Sequence, residues 1–172
     1  NISCRGLERI SPRKNYILAM NHQSALDILV APALLVPHTN RHLSIFVHKN
    51  IYYMFYPLFK RWKAIKTDHR TAETRSLAIE EGVKLLHKGH NVLIFPEAAV
   101  DGAPYDKMLR AFTGVIRLAI KSRTTIIPVG IKGSYRAWKF PHTTLRHPLN
   151  PFSPWNPLSF FYFNFSHPVQ VA

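Results

Sequence analysis

Acidic residues are scarce in this chain of 172 residues: nine Asp and Glu stand against 23 Lys and Arg, a formal charge of +14. Turnover of a neutral small molecule does not require such an excess, which points instead to an anionic partner. Cysteine is nearly missing. The single Cys4 excludes an intramolecular disulfide, and there is no CxxC pair or Cys/His cluster at zinc spacing. His38 and His42 lie four apart, but Pro37 and Asn40 beside them mark a loop more than a metal site. Nor is there an apolar run of about eighteen residues, the length a spanning helix needs. The stretch from Ala25 to Val36 is too short and contains Pro32, so any membrane attachment of this piece is peripheral. Internal repeats and low-complexity tracts are absent.

What is present suits one domain with a substantial core, since 47% of the residues are hydrophobic. Strands are expected at 15–20, 43–48, 63–67, 91–95, 125–131 and 159–165, and helices at 24–36, 51–62, 71–88 and 110–122. The third helix is the best delimited, with Lys84, His87 and Lys88 near its end and Gly89 as a cap. Strand and helix in alternation argue for an α/β fold, a mostly parallel mixed sheet flanked by helices, whose ligands gather at the carboxyl ends of strands. From Pro141 to Pro157 five prolines interrupt regular structure.

The basic excess concentrates between Arg41 and Arg75, where eight Lys or Arg face two acids among Tyr52, Tyr53, Phe55, Tyr56, Phe59 and Trp62. Cations beside aromatics suit an anionic membrane surface, where rings sit at headgroup level and Lys or Arg stems reach phosphates. A half-buried helix with a solvated basic edge is the plainer alternative. Nucleic acid is not expected, because no zinc finger, Gly-rich RNA signature or helix-turn-helix is present.

One constellation carries chemistry. In Asn21-His22-Gln23-Ser24-Ala25-Leu26-Asp27, a histidine and an aspartate stand five residues apart where an apolar strand gives way to a helix. Ser24 is a good N-cap, and Asp27, three residues on, can close a capping box at the positive end of the helix dipole. His22 then lies on the loop and can fold back towards Asp27. A carboxylate holding one imidazole nitrogen as a donor leaves the other to take a proton from a hydroxyl. By themselves, a loop histidine and a capping aspartate are the favoured explanation of the pair.

The segment resembles the HX4D motif of the PlsC-type glycerolipid acyltransferases, within the lysophospholipid acyltransferase superfamily. Val92-Leu93-Ile94-Phe95-Pro96-Glu97 is similar to that family's FPE strand, and Ile126-Ile127-Pro128-Val129-Gly130-Ile131 to its late proline strand. Between them, Phe46-Val47-His48-Lys49 and Ala64-Ile65-Lys66-Thr67-Asp68 resemble the region of the second motif, and Phe163 to Val169 the closing strand. The resemblance implies an O-acyltransferase that moves an acyl group from a thioester donor, acyl-CoA or acyl carrier protein, to a lysolipid acceptor such as lysophosphatidate. No cofactor is implied. His22 is then the general base and Asp27 its orienting carboxylate, with transfer direct and no acyl-enzyme. Lys49 and Glu97 are implied at the acceptor site, Glu97 equally as the anchor of a loop after a buried strand. Pro128 and its neighbours read as core. Chain 1–172 is expected to be a single acyltransferase domain at the cytoplasmic face of a membrane. Beginning at Asn1, it reads as a trimmed or processed product without an N-terminal anchor.

Two departures concern the acceptor. The family continues FPE with Gly-Thr-Arg-Ser, its arginine serving the acceptor phosphate, whereas this chain has Ala98-Ala99-Val100-Asp101. Its second motif ends in Asp-Arg, here Asp68-His69-Arg70. Lys107 or Arg110 would restore the positive charge. Otherwise the acceptor carries no phosphate there, as in an amino-acid lipid or a glycolipid. A non-catalytic basic domain bound to membrane or nucleic acid is the remaining reading.

Overall fold

Runs of Val, Ile and Leu buried on both faces build a parallel sheet at the centre of the molecule. The computed structural model describes residues 2–24, 26–68, 70–98, 109–134 and 169–171. Among these, strands β1 (Ile2–Cys4), β2 (Ile17–Met20), β3 (Leu43–His48), β4 (Ile65–Thr67), β5 (Asn91–Ile94), β6 (Ile126–Val129), β7 (Ile131–Lys132) and β8 (Val169–Val171) alternate with five helices. These are α1 (Asp27–Thr39), α2 (Lys49–Met54), α3 (Tyr56–Arg61), α4 (Ala72–His87) and α5 (Gly114–Ser122). The main sheet has the order β4-β3-β5-β2-β6 with every pair parallel; β1, β8 and β7 form a small second sheet whose β7–β8 pair is antiparallel.

Side chains alternate between two apolar layers. Leu18, Met20, Ile45 and Leu93 join Val30 and Leu35 of α1 on one face, while Ile17, Val92 and Ile94 join Ile79, Leu85 and Leu118 of α4 and α5 on the other. β5 is central, and all four of its residues are buried. Asn91 connects it to its surroundings, its Oδ1 accepting from Tyr16 N (2.9 Å) and its Nδ2 donating to Thr39 Oγ1 (3.2 Å). Gly82 lets α4 approach the sheet, because a Cβ there would stand 3.0 Å from both Phe46 and Leu118.

Several boundaries differ from those the sequence suggests. The first helix runs from Asp27 to Thr39 and contains both Pro32 and Pro37; burial of Val30, Ala31 and Leu35 outweighs the lost N–H bonds. His38 is therefore helical and not in a loop, its Nε2 lying 2.9 Å from the Ile10 carbonyl, while His42 stacks on His90. The expected helix 51–62 breaks at Phe55 (φ −117°), because Pro57 has no N–H to continue the ladder. The expected strand 125–131 divides at Gly130 into β6 and β7. Pro128 is exposed, contrary to its reading as core, since β6 is an edge strand and such an edge accommodates a residue without an N–H. The expected strand 159–165 and the proline-rich stretch 141–157 lie outside the described residues.

Candidate active site

Adjacent strands β2 and β5 end side by side, which brings the loop after Met20 against the loop after Ile94. In the first loop, His22 Nδ1 lies 2.9 Å from Asp27 Oδ2. The same oxygen accepts the backbone N–H groups of Gln23 (2.7 Å) and Ser24 (2.9 Å). Asp27 is fully buried and can only accept as a carboxylate, so the Nδ1–H donates and Nε2 is left as the basic nitrogen. The bond to Ser24 N has the spacing of a capping box, but Ser24 is not the N-cap expected from the sequence: α1 begins at Asp27 with Leu26 as its N-cap and no side-chain cap bond, and Ser24 Oγ instead accepts from Leu26 N (3.1 Å) in the preceding turn. One carboxylate thus ties down the loop before α1 and fixes the imidazole. Its Oδ1 is buried with no hydrogen-bond partner among the described residues.

Three further residues hold the His22 loop. The His22 ring stacks on Phe95, centroids 3.9 Å apart and planes at 16°. Glu97, 5% exposed, accepts His22 N at Oε1 (3.0 Å) and Leu109 N at Oε2 (2.8 Å), so both carboxylate oxygens bind backbone. On the other side, Asn21 pairs with Ile131 like a strand residue: Ile131 N donates to its Oδ1 (2.7 Å) and its Nδ2 to the Ile131 carbonyl (3.0 Å). Sequence reasoning missed Asn21, although an amide directly before the histidine at a strand end was a usable signal.

His22 and Glu97 border a cavity of about 950 Å³ at the carboxyl edge of the sheet. Its lining is mainly apolar, including Ile28, Phe46, Ile51, Ile79, Ile94 and Val115, with Arg75 of α4 and Arg117 of α5 among its polar members. Lys49 is not among the lining residues. It opens α2 at the same edge of the sheet, but its Nζ donates to Asp68 Oδ2 (2.5 Å), and this bond first, with Arg70 beside it, holds the Asp68 carboxyl below the usual carboxylate range. Arg110 is exposed and does not line the cavity, while Lys107 lies outside the described residues.

The loop after Glu97 is strained. Ala98 has φ +55°, in the left-handed region, and its N–H donates to the Phe95 carbonyl (3.0 Å). An L-residue there costs about 1–2 kcal/mol, partly offset by the greater unfolded freedom of glycine. Ala98→Gly is expected to stabilise the protein by about 0.5 kcal/mol, read as a rise in denaturation midpoint; a fall would show the strain to be relaxed elsewhere.

A model of the acyltransferase family matches residues 1–132. Over 143 residues the chain is 27% identical to a 1-acyl-sn-glycerol-3-phosphate acyltransferase of Cocos nucifera, covering 80% of this chain and 43% of that protein. In fold the chain is similar to the 1-acyl-sn-glycerophosphate (LPA) acyltransferase PlsC from Thermotoga maritima, with a TM-score of 0.64 at 18% identity, a match covering 100% of this chain and 60% of that chain. The chain thus spans about half the length of these relatives. Since the family match runs unbroken from β1 through β7 and takes in the His22, Phe95 and Pro128 segments together, this chain belongs to the acyltransferase family.

Proposed function

We propose that this chain transfers a fatty acyl group from a thioester, acyl-CoA or acyl carrier protein, to the hydroxyl of a lysophospholipid such as lysophosphatidate. The observation that carries this reading is the His22–Asp27 pair at the border of a mainly apolar cavity. His22 Nε2 accepts the proton of the acceptor hydroxyl as its oxygen attacks the thioester carbonyl, and Asp27 stabilises the imidazolium that forms. Collapse of the tetrahedral adduct breaks the C–S bond, and the departing thiolate takes the proton back from His22. The products are an ester and a free thiol. An apolar cavity suits an acyl chain, since each buried CH2 contributes about 0.8 kcal/mol. Ser24 is fully buried and its Oγ is used within the loop, which favours direct transfer over an acyl-serine. The decisive assay is thiol release from a panel of acyl thioesters with lysophosphatidate and other lysolipids. Absence of acceptor-dependent release from every donor would sink the proposal.

Helices α2 and α3 are the surface proposed to meet an anionic bilayer. Tyr53, Tyr56 and Leu58 are exposed beside Lys60, Arg61, Lys63 and Lys66, and the Lys66 ammonium donates to the Tyr53 hydroxyl (2.8 Å). Flotation with phosphatidylglycerol-containing vesicles is expected at low salt, with release as ionic strength shortens the Debye length from about 30 Å to about 3 Å. Equal flotation with pure phosphatidylcholine vesicles would refute an electrostatic contribution.

A further inference from the structure

One buried titratable group has no part in the proposed acyl transfer. His90, 6% exposed, directly precedes the central strand β5, at the opposite end of that strand from Phe95 and Glu97. Several segments meet there. His90 N donates to the Leu85 carbonyl near the end of α4 (3.1 Å), and the His90 carbonyl accepts from Asn15 Nδ2 before β2 (3.2 Å). The His90 Nδ1 lies 3.1 Å from the buried Ser44 Oγ of β3, and its ring stacks on His42, centroids 5.1 Å apart. The next residue, Asn91, donates its N–H to the His42 carbonyl (2.9 Å).

The surroundings are cationic. His42 acts on the ring from the start of β3, Lys63 from the turn before β4 and Lys88 from the end of α4, and no carboxylate among the described residues does so. Arg41, in the loop after α1, donates to the adjoining Gly89 carbonyl (3.1 Å), while the side chain facing from the segment before β2 is the neutral Asn15. Burial, first, and then Lys63, His42 and Lys88 hold His90 below the ordinary imidazole range. Ser44 favours neither state. Its hydroxyl donates to a neutral Nδ1 and accepts from a protonated one, so the bond is available to both.

We propose that His90 is an acid-sensitive latch. Neutral, it fastens the start of β5 to β3 and to the end of α4; protonated, it sets a buried cation with no counter-ion among the described residues into that junction, and the fold loosens. The loosened strand leads into Phe95 and Glu97, the residues that hold His22. In the unfolded chain the imidazole takes up its proton near a pH of about 6.5. The stability gained by keeping His90 neutral is therefore complete above about pH 6.5 and is lost as pH falls below it, because the unfolded chain then binds a proton that the native chain excludes.

Urea unfolding of the whole chain at about pH 7.5 and about pH 5.0 is the test. Between these values the folding constant of the wild type is expected to fall about five- to thirtyfold more than that of His90→Gln, whose amide is uncharged at both. His87→Gln, the same change at an exposed position at the end of α4, is the control. An equal fall for His90→Gln and wild type overturns the proposal. A second readout needs no variant. In an NMR titration of the wild-type chain the His90 ring is expected to remain mostly neutral at about pH 6.0, where a free imidazole is mostly protonated. A His90 ring mostly protonated at that pH in the folded chain overturns the proposal, whatever the variant does.

Discussion

His22→Gln is expected to lower kcat/KM for acyl transfer by about 10²–10⁴-fold, the usual contribution of a positioned general base. The glutamine amide has no basic nitrogen, so the acceptor hydroxyl must attack without losing its proton to the protein. Thiol release measures the loss, and circular dichroism checks that the fold persists. Activity within about tenfold of wild type would exclude His22 as the base. Asp27→Asn separates orientation from proton transfer. Its amide oxygen can keep the three bonds now made to Oδ2, with the new NH2 at the buried Oδ1 position that has no partner among the described residues. The bonds are retained and the charge is lost. A fall in kcat of similar order, with KM little changed, is the expected signature of an imidazolium no longer stabilised.

Glu97→Gln is expected to destabilise the protein by about 2–3 kcal/mol, although it changes a single atom. Each Glu97 oxygen accepts a backbone N–H, from His22 and from Leu109, so an amide must point its NH2 at one of these donors. A buried donor facing a donor loses the bond and the hydration of both groups. By size the shift in thermal midpoint is about 5–10 °C for a chain of this length. The same change releases the backbone of His22, so kcat is expected to fall more than KM rises. A rise in KM for the acceptor alone, with stability intact, would instead make Glu97 a substrate ligand.

Much of the fold was legible in the sequence because the main strands are short, continuous Val/Ile/Leu runs with few competing readings. Residues 43–48 and 91–94 form strands where that pattern places them, and Thr71, whose Oγ1 accepts Thr74 N, starts α4 within one residue of the expected boundary. Prolines misled in both directions. Pro37 reads as a helix end yet lies inside α1, where buried neighbours hold the helix; Pro57 sits within an expected continuous helix, and the backbone breaks before it.

The sequence by itself determined the family pattern and the local pair, because five residues suffice to connect His22 to Asp27 through a loop and a helix start. Only the tertiary structure decided what surrounds that pair. Asn21 meets Ile131 at a separation of 110 residues and His22 meets Glu97 at 75, contacts that exist because β2 lies between β5 and β6. The tertiary structure likewise assigned Lys49 to Asp68 and brought Arg75 and Arg117 to one cavity. Neither arginine belongs to a motif. Their common position follows from two helices returning along one parallel sheet, and only chain packing sets that relation.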